Sequence, residues 1–247
     1  MIIARSILFN ALFYVNLVTL MIVALPTLLL PGRATIEMAR LWGRTSLWLL
    51  RVICGTRVEY RGAEKIPPGP LIVAAKHQST WETFALLSQF EHPIFIIKRE
   101  LLWVPLFGWL AWKADMIAVD RGSGSQALAA MTARARAAIG RGRQLMIFPE
   151  GTRRAAGAEP RYKYGVAHLY DASGVPCMPV ALNSGLFWRR RSFVRMPGTI
   201  VVEFLDPIAP GLDKQVFFER LQSEIEGATA RLVAEGERQL AGAAAAC

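Results

Sequence analysis

The pattern of apolar and polar positions divides the chain into two parts. From Ile7 to Leu30 nearly every residue is apolar, and this run is long enough to cross a bilayer, which takes ~20 apolar residues. Pro31 and Gly32 interrupt that helix, and a second helical pattern mixing tryptophan, leucine and arginine runs from Thr35 to Cys54. The pattern predicts a membrane-associated helical segment over residues 1–54 and an α/β domain over residues 55–247.

Charges on either side of the apolar run indicate its orientation. Arg5 precedes the run, and four arginines follow it before Cys54. The heavier positive flank places the C-terminal side in the cytoplasm, which predicts a location on the cytoplasmic face of the inner (plasma) membrane. The run is too long for the core of a signal peptide. Two arrangements remain open: a single span, or a pair of helices inserted in one leaflet. The second helix suits either the headgroup layer or a buried core.

Beyond Gly55 short apolar runs alternate with helical patterns, which predicts an α/β sheet flanked by helices, mixed but mostly parallel. Polar motifs follow the ends of these runs, where open α/β sheets bind ligands. The predicted strands are Arg57–Arg61, Leu71–Ala75, Ile94–Ile97, Met116–Val119, Leu145–Phe148, Cys177–Leu182 and Thr199–Phe204. The predicted helices are Leu101–Trp112, Ser125–Ile139 and Lys214–Leu240.

Composition narrows the possible functions. The chain has 247 residues and a formal net charge of +10, so its surface attracts anionic lipids, acidic carrier proteins or polyphosphates. The sequence carries no zinc-finger spacing, basic-region heptad or RNA-binding motif, which argues against a nucleic-acid partner. It also lacks a Walker loop, an HExxH pattern and a dinucleotide fingerprint, which argues against ATP-, zinc- and NAD-dependent enzymes. Cys54, Cys177 and Cys247 are widely spaced, which predicts reduced thiols rather than disulfides or a metal site.

Two polar segments carry the candidate chemistry. The first runs from His77 to Glu82 directly after an apolar strand, so an imidazole can meet a carboxylate if His77 lies in a loop before the next helix. A competing interpretation is a capping box over Ser79–Glu82, in which the carboxylate bonds the backbone at the start of the helix. The second segment, Phe148–Arg153, supplies a carboxylate, a glycine and a guanidinium in one turn. It is either an ordinary polar turn or an anion clamp.

These segments resemble the first and third sequence blocks of the glycerolipid acyltransferases, the 1-acylglycerol-3-phosphate acyltransferase family. Two weaker blocks follow the same order: Ile97–Leu101 with Gly108, and Val175–Val180. One difference is that Glu82 stands where the family usually has aspartate. The resemblance implies His77 and Glu82 as catalytic residues. It implies substrate binding by Lys98, Arg99, Glu150, Gly151, Thr152 and Arg153.

The implied reaction moves an acyl group from acyl-CoA or acyl carrier protein to the sn-2 hydroxyl of 1-acyl-sn-glycerol-3-phosphate, giving phosphatidic acid. The expected partners are therefore membrane lipids, lysophosphatidic acid and the acyl donor, and neither a cofactor nor a metal is expected. Two alternatives stay open. One is acylation of another acceptor, such as a lysophospholipid or lyso-ornithine lipid. The other is a basic membrane protein that binds anionic lipid without catalysis.

Overall fold

A seven-stranded sheet forms the centre of the molecule. The computed structural model describes residues 1–120 and 124–245, so Cys247 lies outside the described part of the chain. The strand order is β1-β7-β6-β2-β5-β3-β4. Among the strand pairs of the described residues, β6–β7 is antiparallel and the others are parallel. The predicted mixed, mostly parallel sheet is confirmed. The strands are β1 Thr56–Arg61, β2 Leu71–Ala75, β3 Pro93–Lys98, β4 Ile117–Val119, β5 Gln144–Ile147, β6 Cys177–Leu182 and β7 Gly198–Phe204.

Helices cover both faces of this sheet. The predicted helix over Leu101–Trp112 is interrupted in the structure, because Pro105 has no amide hydrogen to donate and Leu106 adopts a positive φ of 64°. A 3-10 turn over Arg99–Trp103 precedes the α-helix there. The helices are α1 Ile2–Val23, α2 Gly32–Leu49, α3 Glu82–Ala85, α4 Phe107–Lys113, α5 Gly124–Gly140, α6 Gly165–Ser173, α7 Ser184–Phe187 and α8 Lys214–Ala245.

The alternation of side chains along β2 separates two hydrophobic cores. Leu71, Val73 and Ala75 pack in the core that includes α1 and α3, whereas Ile72 and Ala74 pack in the core built with α5, α6 and α8. Successive side chains of a strand point to opposite faces of the sheet. Lys76 and His77, which follow β2, continue this alternation. Their side chains therefore lie on opposite faces of the sheet.

The N-terminal helices form an antiparallel hairpin that packs on the first core. Within the described residues, Ile2–Leu29 is the one stretch long and apolar enough to cross a membrane. Its two asparagines bond to the rest of the protein: Asn16 Nδ2 donates to Thr45 Oγ1 of α2 at 2.9 Å, and Asn10 Nδ2 donates to the Phe193 carbonyl at 2.7 Å. Phe9 is fully buried. Phe13 is also buried, whereas most of the other apolar side chains of α1 are exposed or partly exposed.

Candidate active site

The first polar segment leaves the middle of the sheet as an irregular turn. β2 lies between β5 and β6. The α3 helix begins only at Glu82, two residues later than the start at Thr80 that a capping box with Ser79 as N-cap would give. The Ser79 hydroxyl accepts the Trp81 amide at 3.0 Å, so the chain makes a local turn before the helix starts. His77 is therefore in a loop, as a contact with Glu82 requires.

His77 and Glu82 are in direct contact. His77 Nδ1 lies 2.9 Å from Glu82 Oε1. The Glu82 side chain is fully buried, while 14% of the His77 side chain is exposed. The His77 ring stacks on Phe148 with 4.0 Å between ring centroids. The imidazole is thus held on one edge and one face, and it keeps a path to solvent.

Glu82 is both a partner of His77 and a local backbone anchor. Its Oε1 also accepts the amides of Gln78 at 2.6 Å and Ser79 at 2.8 Å. Its Oε2 accepts the hydroxyls of Ser79 at 2.8 Å and Ser184 at 2.9 Å. The sequence left two alternatives for Glu82, a contact with the imidazole of His77 and a capping interaction with the backbone. In the structure one carboxylate makes both. The extra methylene of glutamate does not prevent contact with the imidazole.

These donors determine the ionisation of Glu82 and the tautomer of its partner. Burial raises the pKa of the Glu82 carboxyl, but the hydrogen bond from His77, the charge on that ring and the Ser79 amide outweigh burial and lower the pKa below its ordinary value. An ionised carboxylate only accepts hydrogen bonds. Nδ1 of His77 therefore carries a hydrogen, and Nε2 of the neutral ring is the nitrogen that can accept a proton.

The second polar segment follows β5 and contacts the first. The Arg154 amide donates to the His77 carbonyl at 2.8 Å, and the Arg153 guanidinium donates to Thr80 Oγ1. Gly151 has a φ of +64°, and a β-carbon there would come within 3.1 Å of Lys163 Cε. Glycine suits this turn on both counts. Thr152 and Arg153 are exposed, so the turn presents a guanidinium next to the loop that carries His77.

A buried lysine that belongs to none of the sequence motifs supports this turn from the opposite face of the sheet. Lys76 Nζ lies 3.2 Å from Glu150 Oε1 and 2.6 Å from Glu226 Oε1 of α8, and Tyr162 donates to the same Glu226 oxygen at 2.9 Å. Only 3% of the Lys76 side chain and 1% of Glu150 are exposed. Burial raises the pKa of Glu150, and the Lys76 charge opposes that rise. Glu150 thus pairs with Lys76, away from the solvent-facing side of the turn.

The two basic residues that follow β3 are arranged differently. Lys98 pairs with Glu100 at 2.6 Å and Arg99 pairs with Asp120 at 3.3 Å, all with substantial exposure. β3 runs parallel to β5, so both residues lie towards the sheet edge where the strands end and His77 stands. Their bonds among the described residues are to acidic neighbours, and their predicted role in substrate binding stays a prediction.

Comparison with known proteins agrees with this geometry. The family model described as Acyltransferase matches residues 57–183. The chain is 40% identical over 175 residues to the 1-acyl-sn-glycerol-3-phosphate acyltransferase of Pseudomonas aeruginosa, covering 70% of this chain and 68% of that one. It is 32% identical over 167 residues to the human 1-acyl-sn-glycerol-3-phosphate acyltransferase alpha, covering 67% of this chain and 58% of that one.

A solved structure shares the fold. The crystal structure of the 1-acyl-sn-glycerophosphate (LPA) acyltransferase PlsC from Thermotoga maritima superposes with a TM-score of 0.75 and 20% identity, covering 94% of this chain and 99% of that one. The family match and the identity to the named relatives define an enzyme that transfers acyl groups. The chain belongs to the Acyltransferase family, which excludes the interpretation as a lipid-binding protein without catalysis.

Proposed function

We propose that this enzyme transfers an acyl group from acyl-CoA or acyl carrier protein to the sn-2 hydroxyl of 1-acyl-sn-glycerol-3-phosphate, forming phosphatidic acid. The observation that carries this proposal is the 2.9 Å contact between His77 and Glu82, beside a turn whose Arg153 is tied to Thr80 of the same loop. The names of the relatives support the acceptor. The cations of the turn support an acceptor that carries a phosphate monoester.

His77 acts as the general base in this mechanism. Its Nε2 takes the proton of the sn-2 hydroxyl as that oxygen attacks the thioester carbonyl carbon. The resulting imidazolium lies against the Glu82 carboxylate, which is ionised and already oriented towards Nδ1. As the carbon–sulfur bond breaks, His77 returns the proton to the leaving thiolate. The ester and a free thiol are the products, so no cofactor or metal is needed.

Arg153 is the proposed clamp for the acceptor phosphate. A guanidinium can donate two parallel hydrogen bonds to a phosphate, whereas an ammonium acts as a point charge. The bond to Thr80 fixes the guanidinium relative to the loop that carries His77. Gly151 and Thr152 shape the turn, Glu150 anchors it through Lys76, and Lys98 and Arg99 supply further positive charge from the end of β3.

We further propose that the α1–α2 hairpin holds the enzyme on the cytoplasmic face of the membrane without crossing it. The antiparallel packing of α1 on α2 and the burial of Phe9 in the domain core support insertion into one leaflet. Trp109 and Trp112 of α4 are 59% and 75% exposed, and tryptophan is enriched at the level of the headgroups. The hairpin would thus bring the site to an acceptor that is dissolved in the bilayer.

The test is acyl transfer by the purified full chain in nonionic detergent micelles to a matched set of acceptors. The set contains 1-acyl-glycerol-3-phosphate, the monoacylglycerol that lacks the phosphate, lysophosphatidylethanolamine and lyso-ornithine lipid. We expect the first to be the best acceptor by kcat/KM and the monoacylglycerol the poorest of the glycerol acceptors. If lysophosphatidylethanolamine or lyso-ornithine lipid is the better acceptor, the phosphate monoester specificity is wrong.

A further inference from the structure

The connection between α7 and β7 is a small hairpin with an unusual composition. Trp188 and Arg195 form an antiparallel bridge at its base, and Arg191 at the tip adopts a positive φ of 57°, which tightens the turn. The three consecutive arginines 189–191 are all exposed. Phe193 is 55% exposed although it is aromatic. The hairpin therefore presents three guanidiniums and one aromatic ring to solvent.

The base of this hairpin is fixed to the first turns of α1. The Arg195 amide donates to Ser6 Oγ at 2.9 Å and its Nη2 donates to Asn10 Oδ1 at 2.9 Å. Its guanidinium also lies 4.1 Å from the centre of the Trp188 ring. These contacts hold the tip in a defined position beside α1. Ile3 and Ile7, on the same turns of the helix, are 60% and 58% exposed.

The positive charge of this surface has no acidic counterpart nearby in the sequence. Residues 1–36 and 172–202 contain no aspartate or glutamate. None of the three tip arginines forms an ion pair in the part of the chain that the structure describes. Arg195 is only 6% exposed, and burial lowers its pKa to about 10. Its hydrogen-bond partners are neutral oxygens. A surface of this kind is complementary to a dense layer of anions.

We propose that the hairpin over residues 188–195 is a second membrane-binding element that recognises anionic phospholipid headgroups. Its arginines contact the phosphates, and Phe193 enters the interface beside the apolar side chains of α1. A bilayer is favoured over an acidic carrier protein because exposed aromatic and aliphatic side chains adjoin the guanidiniums. The inference rests on the membrane association proposed above. It adds a preference for anionic lipids and defines the orientation of the domain on the membrane surface.

The first test measures flotation of the full chain with vesicles of phosphatidylcholine alone and of phosphatidylcholine with phosphatidylglycerol. The variant carries Arg189→Gln, Arg190→Gln and Arg191→Gln. We expect it to bind neutral vesicles as the unmodified chain does and to lose the added affinity for anionic vesicles. The loss should be about fivefold per arginine and on the order of a hundredfold for three, because each basic residue near an anionic surface contributes about that much.

A matched control removes the same charge from the other face of the sheet, through Arg134→Gln, Arg136→Gln and Arg141→Gln on and just after α5. This control should keep the preference for anionic vesicles. If the tip variant keeps that preference, or the control loses as much of it, the proposal is overturned. Thermal unfolding checks folding without reference to catalysis, so a failure of lysophosphatidic acid acylation by the unmodified chain stays a separate result.

A second test places an environment-sensitive fluorophore at the tip through Phe193→Cys, with Cys247→Ser to remove a competing thiol. Cys54 and Cys177 are buried, so they stay unlabelled in the folded chain. We expect a blue shift with anionic vesicles, and no shift for a label at Ala133→Cys on α5. An unshifted tip label overturns the proposal. So does a tip variant that keeps its lipid preference but has a raised KM for acyl carrier protein, because the tip would then be a donor site.

Discussion

Replacing Glu82 by glutamine separates its catalytic charge from its role as a backbone anchor. A general base must be neutral before it takes a proton, so the carboxylate gains its full electrostatic value only when the imidazolium forms in the transition state. The Nδ1–Oε1 distance of 2.9 Å implies about 4 Å between the charge centres. At an effective dielectric constant of ~20 this attraction is worth ~4 kcal/mol. The predicted fall in kcat is therefore on the order of 10³-fold.

The folded structure should tolerate the same change. The glutamine oxygen can still accept the two amides that bond Oε1, and the hydroxyls of Ser79 and Ser184 can rotate to accept hydrogen bonds from the new amide nitrogen. We expect the free energy of unfolding to fall by ~1–3 kcal/mol, as is typical when the acceptor of a hydrogen bond loses its charge. Ser184→Ala is the matched control, because it removes one bond to Oε2 and leaves the contact with His77 intact.

The assay is steady-state acyl transfer at saturating donor and acceptor, together with chemical denaturation of each variant. Glu82→Gln should be severely slowed yet folded, and Ser184→Ala should stay within a few-fold of the unmodified rate. If Glu82→Gln keeps a rate within tenfold while folded, the carboxylate is only a structural anchor. The charge argument would then be refuted.

Three further predictions follow from the site. Lys76→Met should lower the free energy of unfolding in denaturant by ~3–5 kcal/mol, because it leaves the carboxylates of Glu150 and Glu226 without their cation. Lys98→Met on the surface should leave the denaturation midpoint nearly unchanged, and equal losses in the two variants would contradict the account. Arg153→Lys should raise the KM for lysophosphatidic acid while the KM for the acyl donor changes little; a defect confined to the donor would move this residue to the donor site. Because the pKa of Glu82 lies below its ordinary 4.5, its charge stabilises the fold above pH 4.5 and that contribution disappears as the pH falls through the lowered pKa. Melting temperatures measured across that window should therefore fall more steeply for the unmodified chain than for Glu82→Gln, and parallel curves would argue against the shift.

Much of the fold can be predicted from the sequence because central strands of a mostly parallel sheet are continuous apolar runs. The predicted and observed bounds of β2 and β6 coincide for that reason. His77 could be placed after a strand on the same grounds. The interruption of the helix after β3 could not, because helical periodicity masked the effect of Pro105 and the strained Leu106. The division of the chain at residue 54 stays a prediction.

The support of the site depends on contacts between distant parts of the chain. Lys76 and Glu226 are 150 positions apart, and no local pattern links them. A lysine that continues a fully buried apolar strand was the available signal, since lysine is rarely buried without a partner. Asn10 and Arg195 are 185 positions apart. In sequence Asn10 is merely an exception within an apolar run, and only the folded chain gives it a partner.

The most direct test of the central claim is the rate of phosphatidic acid formation by His77→Ala compared with the unmodified chain. Both proteins would be purified as full chains and assayed with 1-acyl-glycerol-3-phosphate and an acyl-CoA. Loss of a general base costs ~10²–10⁴-fold, and the alanine variant also loses the imidazolium that Glu82 stabilises, so we predict a loss at the upper end of that range or beyond it. Unfolding and flotation should be nearly unchanged, because in the described part of the chain the ring has one stacking partner, Phe148, and one hydrogen-bond partner, Glu82. A folded His77→Ala variant that forms phosphatidic acid at a near-normal rate would contradict the mechanism.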